Sequence, residues 1–368
     1  MKKLTALILC SAILLLSGCG GGSIYSNYRE IEELTVIRTL GIDVTGAGCT
    51  VSAATGTGST PTPLRLSGTG KSVELAMQSI ADHSAGEEIF YAHSAYLLVG
   101  QATADNDLTP VLDYVRYSTD LRMDMPLFIV SESPASELVL NAGGEDFDVT
   151  EVLRSVERVL RDRGDCPVPS AADISADLAQ NGSALVCAVV CVRSGNALTA
   201  VPDGCAVIKH GRCVGHISAE NASGINLLRN DAGPFRVALR VGGDAATVQL
   251  DSASTEIRPV LKNGQLTGID FSTGVSATLT EGTYSPDVPS LEAALEAELL
   301  SRIQSVLDAS QSLGSDFLQL GALLELKMPR KMRGMRGQLQ DILPRLVLTV
   351  SVTAKIERAS ELSAGGAA

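Results

Sequence analysis

Lys2 and Lys3, an apolar run over residues 4–16, and then Leu16-Ser17-Gly18-Cys19 form the layout of a secretory signal that ends in a lipobox. The run is shorter than the roughly 20 residues a membrane-crossing helix needs. Cleavage before Cys19 is therefore expected (signal peptide 1–18), with covalent diacylglycerol or fatty acyl lipid on Cys19 and no other cofactor. Residues 19–28 read as the lipidated cysteine and a flexible tether. From Gly20 to Tyr28 that tether spans at most about 30 Å. Everything after it must fold outside the cytoplasm, on the outer face of the cytoplasmic membrane. Disulfides are permitted there, and cytosolic nucleotides are out of reach.

The 368 residues carry a formal charge of −13, and losing Lys2 and Lys3 with the signal makes it −15. An acidic body repels nucleic acid and anionic head groups, which excludes nucleic acid as a partner. Membrane attachment then falls to the acyl chains, at about 0.8 kcal/mol per buried methylene. Against this background Lys327, Arg330, Lys331, Arg333 and Arg336, with Arg345 nearby, form a basic island. It is the candidate docking surface, for the acidic face of a partner or for anionic head groups.

Hydrophobic periodicity predicts strands at 36–44 and 50–54 around a glycine turn, and a helix over 72–84 capped by Ser72. A strand at 94–99, a helix opened by Thr109-Pro110, a strand at 126–130 and a helix over 134–141 follow. Asp148 and Glu151 precede a helix over 152–161, then come a helix over 171–180 and a strand at 184–192. Beyond residue 196 the pattern predicts a hairpin from 205–208 and 213–217. Further strands are expected at 235–241, 247–250, 254–261 and 269–279. Leu291, Leu295, Leu299, Ile303, Val306 and Ser310 mark one stripe of a long helix. Asp316 is placed to cap a shorter helix, and residues 346–357 alternate as a half-buried strand. The expected class is α+β, with two to three small domains of mostly antiparallel or mixed sheets. Their expected bounds are 29–195, 196–245 and 246–360, ahead of a tail at 361–368.

Six cysteines remain after Cys10 leaves and Cys19 is lipidated: Cys49, Cys166, Cys187, Cys191, Cys205 and Cys213. Cys187 and Cys191 lie about 13 Å apart along one strand, beyond the reach of a bridge. A turn at His210-Gly211 sets Cys213 opposite Ile208, not opposite Cys205. Spacing fixes no pairing, and the cysteines read as small buried residues.

Catalytic patterns are weak. Gly68-Thr69-Gly70-Lys71-Ser72 lacks the glycine a P-loop needs where Arg65 stands. No Gly-x-Ser-x-Gly elbow occurs. The histidines and cysteines lack metal-ligand spacing, and no metal is expected; a cluster of Cys187, Cys191, Cys213 and His216 could form only by folding. Asp113, Arg116, Asp120 and Arg122 read as an ion-pair network that orders the turn after a helix.

Several blocks then fall into one order. They are Gly41-Ile42-Asp43, Ala92-His93-Ser94-Ala95-Tyr96, Leu112-Asp113-Tyr114-Val115-Arg116 and Asp120-Leu121-Arg122. Later come Asp203-Gly204-Cys205, Ser315-Asp316-Phe317-Leu318-Gln319-Leu320-Gly321 and Lys327-Met328-Pro329. In this order, behind a lipobox, the chain resembles the Ger(x)C lipoproteins, the C subunits of spore germination nutrient receptors. The resemblance implies a three-domain α+β fold on the outer face of the spore inner membrane. It implies a non-enzymatic subunit that scaffolds or couples two integral-membrane partners, the A- and B-type subunits. Within its blocks, Asp43, Asp113, Arg116, Arg122, Asp316 and Gly321 are the candidate structural residues. The resemblance assigns no small-molecule ligand to this subunit. The competing expectation is an extracytoplasmic solute-binding lipoprotein of a transporter. That class usually has two similar lobes and an aromatic-lined cleft, whereas aromatics are 4% here and Trp is absent.

Overall fold

The computed structural model describes residues 34–56, 63–84, 88–143, 148–195, 197–282 and 287–358. The signal, Cys19, the tether and the tail at 361–368 lie outside the described residues.

Nine strands build the first sheet: β1 (Leu34–Thr45), β2 (Gly48–Thr55), β3 (Arg65–Gly70), β4 (Glu88–Phe90), β5 (Tyr96–Gly100), β6 (Leu127–Ser131), β7 (Ser183–Ser194), β8 (Ala197–Lys209) and β9 (Arg212–Ile217). Their order is β3-β2-β1-β5-β6-β7-β8-β9, with β4 beside β1. β1, β5, β6 and β7 run parallel, while hairpins flank them on both sides. Every residue of β5 and β6 is buried, as expected of central parallel strands covered on both faces.

Helices supply the cover. One face packs against α1 (Val73–His83), α2 (Gln101–Asn106) and α3 (Thr109–Tyr117). The other packs against α4 (Ala135–Asn141) and α5 (Val149–Arg163). α6 (Ala171–Asn181) returns to the first face through Ala171 and Ile174. Local signals account for most of these boundaries. The Ser72 and Asp148 side chains accept the N–H of Leu75 and Glu151 at 3.3 and 3.0 Å. Ser170 and Asp173 form a reciprocal capping box. The helix expected to be capped by Thr109 instead starts at Thr109 with Leu108 in the cap position.

α7 (Ala219–Arg229) leads to the second sheet, β10 (Phe235–Val241), β11 (Asp244–Lys262), β12 (Gln265–Glu281) and β13 (Val347–Arg358), in that order. Between β12 and β13 lie α8 (Val288–Leu313), α9 (Leu320–Lys327) and α10 (Met335–Ile342). The α8 stripe is buried as expected, at Leu291, Leu295, Leu299, Ile303, Val306 and Ser310, and Leu307 joins it. Each fully buried aliphatic side chain contributes about 1.5–3 kcal/mol. The two strands expected at 247–250 and 254–261 are one strand, β11. Irregular pairing after Leu250 accommodates the polar Asp251-Ser252 pair without ending the ladder.

Sheet membership changes between β9 and β10. The hairpin expected to belong to a middle unit beginning near residue 196 continues the large sheet through β7 and β8. Apolar packing is continuous from the α4–α5 face through α7 and α8 to the second sheet.

Cys166 and Cys205 form a disulfide with Cα atoms 6.1 Å apart. This supplies the one pairing that spacing left open; both cysteines are buried, as expected. Ile208 does pair with Cys213 across the hairpin, as the turn position requires.

Candidate functional site

The segment at 315–321 leads from α8 to α9 and lies against Ser183 at the start of β7, and Asp316 organises it. Its carboxylate is fully buried. Oδ1 accepts the N–H of Leu320 at 2.8 Å and Oδ2 that of Gly321 at 2.8 Å. Asn181 at the end of α6 donates Nδ2 to the Asp316 carbonyl at 2.9 Å and to Oδ2 at 3.3 Å. Asp316 therefore caps α9 and ties it to α6, a wider role than the local cap expected from sequence. Burial pushes its pKa up to about 6, against the lowering effect of its donors and of Arg229.

Neighbouring residues reinforce the junction. Gln319 Nε2 donates to the Ser183 carbonyl at 2.8 Å, and Ser315 Oγ donates to Ser183 Oγ at 3.0 Å. Arg229 donates to the Phe317 carbonyl at 2.6 Å and lies 3.8 Å from Asp177. Gly321 permits the α9–α10 crossing, because a Cβ there would meet the Met335 carbonyl oxygen at 2.6 Å and Asp316 Oδ2 at 3.2 Å.

The basic island projects from this junction. Lys327 ends α9, Arg330, Lys331 and Arg333 occupy the turn that follows, and Arg336 opens α10. All five are exposed. Met332 is buried beneath them and fixes the turn to the core. Lys327 Nζ donates to the Ile257 carbonyl at 3.4 Å, and Arg336 lies 3.9 Å from Glu325. Arg330, Lys331 and Arg333 make no ion pair among the described residues. Beside them a groove of about 540 Å³ has Leu318, Leu320 and Leu323 along it and Lys327 and Arg336 at its edge. Leu326, 78% exposed, stands next to it. An apolar groove edged with exposed cations, beside three more that make no ion pair among the described residues, suits an acidic protein surface with an apolar centre.

The remaining predicted residues serve the scaffold or stand apart. The Asp43 carboxylate at the end of β1 accepts the N–H groups of Ala135 and Ser136 at 2.8 and 2.9 Å. It thereby caps α4 across 92 residues of sequence. The network expected among Asp113, Arg116, Asp120 and Arg122 does not form. Arg122 pairs with Asp124 instead, both side chains more than half exposed, where such a pair adds little. The turn after α3 is ordered by Ser118 Oγ, which accepts the Asp120 N–H at 3.1 Å. Asp113 and Arg116 face surface cavities beside α3.

Nothing here forms a phosphate cradle. Gly68 and Gly70 lie in β3, where α1 packs at backbone distance; a Cβ on Gly70 would sit 2.6 Å from the Ala76 nitrogen. Among the described residues no three His, Cys, Asp or Glu side chains are placed to hold a metal. Cys187, Cys191, Cys213 and His216 are not gathered. Sequence reasoning missed one polar cluster, in which Ser131 Oγ donates to Asp203 Oδ2 at 2.6 Å and His216 Nε2 lies 3.6 Å from the same oxygen. The carboxylate, not the imidazole, holds the serine hydroxyl, so this is not the arrangement of an activated nucleophile.

Comparison with known proteins places these features in a family. A model described as "Spore germination protein N-terminal domain" matches residues 27–189. A second, "Spore germination B3/ GerAC like, C-terminal", matches residues 203–360. Among solved structures, the crystal structure of the GerBC protein superposes with a TM-score of 0.57 at 16% identity. The superposition covers 87% of this chain and 97% of that one, which establishes a shared fold. No curated protein matches.

Proposed function

Because the chain belongs to the Ger(x)C family of spore germinant receptor C subunits, we propose that it is a non-enzymatic docking subunit of such a receptor. In this reading it is held at the outer face of the spore inner membrane by lipid on Cys19. It scaffolds or couples the A- and B-type integral-membrane subunits through the basic α9–α10 surface. Among the described residues no helix is long and apolar enough to cross a membrane.

The observation that carries the proposal is the placement of five exposed cations on an acidic chain. They sit on a turn fixed by Met332 and by the Asp316 junction. Ordering that turn is already accounted for in the folded chain, so less conformational entropy is lost on docking than with a free basic tail. The transporter reading is less well supported, because sheets of nine and four strands do not make two similar lobes.

Charge reversal tests it. The Arg333→Glu/Arg336→Glu variant should leave thermal unfolding within a few degrees of wild type, since both side chains are exposed. Recovery of the membrane subunits in affinity co-purification should fall about tenfold or more, because like charges then face each other across the contact. Unchanged recovery at unchanged expression would reject the docking assignment.

A further inference from the structure

A second surface lies at the opposite end of β1 from Leu34, outside the carboxyl ends of the parallel strands. The β1–β2 turn, the start of α1 and one face of α3 enclose a cavity of about 700 Å³. That volume is within the range of small-molecule sites. β1 is also the strand at which the sheet changes from antiparallel pairing with β2 to parallel pairing with β5. Crevices outside the carboxyl ends of parallel strands are common ligand positions in open α/β sheets.

The lining has a definite chemical character. Val44, Cys49 and Val73 make it apolar, and Tyr114 and Tyr117 line the α3 side. Tyr117 is 77% exposed, which leaves its ring open to an incoming group. Tyr114 donates its hydroxyl to Glu74 Oε2 at 2.9 Å and joins α3 to α1. Burial and the Glu74 carboxylate raise the Tyr114 pKa, so the phenol stays protonated and keeps that carboxylate in place. Asp113 lines the same cavity and makes no ion pair among the described residues. The cavity thus offers two carboxylates and two aromatic rings around an apolar interior. Lys71 is the single cation in the lining.

We propose that this cavity binds a small organic amine. The ammonium group faces Asp113 and Glu74, and the apolar body packs against Val44, Val73 and the tyrosine rings. The charged head gains both from the carboxylates and from the negative faces of the rings. A neutral isostere keeps only the apolar contacts, and an acid of the same shape is repelled by the two carboxylates.

The test uses the full-length chain in nanodiscs, titrated calorimetrically with phenethylamine, phenethyl alcohol and 3-phenylpropionate against empty nanodiscs. The amine should bind about tenfold tighter than the alcohol and tighter still than the acid. Asp113→Asn should reduce that preference several-fold, Glu74 keeping the rest, without changing the alcohol. Tyr117→Ala, at a largely exposed position that keeps the fold, should weaken the amine about threefold or more. Equal binding of amine and alcohol, a preference for the acid, or no binding by any of the three would overturn the proposal. The site is independent of the docking surface. Arg333→Glu/Arg336→Glu should leave these titrations unchanged, and Asp113→Asn should leave co-purification unchanged.

Discussion

Asp316→Ala should destabilise the chain by about 3 kcal/mol near pH 5, because three donors lose their acceptor at roughly 1 kcal/mol each. The Leu320 and Gly321 N–H groups and the Asn181 amide all point at this carboxylate. No water reaches it, since Asp316 is fully buried. The penalty should shrink as pH rises. The folded-state pKa of Asp316 is about 6, against about 3.9 for an unfolded aspartate. The folded form therefore binds more protons between these values. The stability associated with the proton is fully present below about pH 4 and is lost as pH rises through about 6. The full loss is about 3 kcal/mol, and alanine does not share it. Asp165, also pushed up to about 6 by burial, contributes in both proteins, so subtraction isolates Asp316. Urea unfolding of both proteins from pH 4 to pH 8 checks this. A difference that stays constant over that range would contradict the assignment of a buried, high-pKa carboxylate at the junction.

Loss of the Cys166–Cys205 disulfide should cost about 4 kcal/mol, from the entropy of closing a loop of this length in the unfolded chain. The sequence separation is 39. That loop contains α6 and β7, and with them Asn181 and Ser183, which hold the Asp316 segment. Removing the crosslink should therefore loosen the junction as well as the first sheet. The double variant Cys166→Ala/Cys205→Ala is the informative one. Cys187 pairs with Cys205 directly across the β7–β8 ladder, so Cys166→Ala alone would leave two facing thiols able to oxidise. In the folded wild type, Cys166 and Cys205 are 3% and 0% exposed, so dilute reductant at neutral pH should leave the bond intact until the chain opens. An unfolding midpoint that does not move in the double variant would show that the crosslink contributes no stability.

Local chemistry made much of the fold legible. The α8 stripe needs only a 3.6-residue period, and β13 only a period of two. In β13 the even-numbered residues from Leu348 to Ile356 turn inward and the odd-numbered ones outward. The β8–β9 register followed from one turn. Contacts set by tertiary closure were not legible in the same way. Asp43 reads as the last polar residue of a strand, and nothing near it announces that it caps α4. Cys166 and Cys205 sit on different elements, and six cysteines allow many pairings. The polar Asp251-Ser252 pair read as a break, whereas the second sheet tolerates it as an irregularity within one long strand. At the candidate site, the island and the Asp316 cap were visible as composition and as a local motif. The groove beside the island was not, because Gln180 of α6 and Leu228 of α7, distant in sequence, close it against the leucines of α9.

The docking claim is tested most directly by placing a photo-crosslinking amino acid at Arg333 in sporulating cells and identifying what it captures. The account predicts a crosslink to an acidic segment of a polytopic receptor subunit, and none from the same probe placed at the exposed Arg240 on β10. Capture of lipid alone at Arg333, or capture of the membrane subunits from Arg240 and not from Arg333, would contradict it.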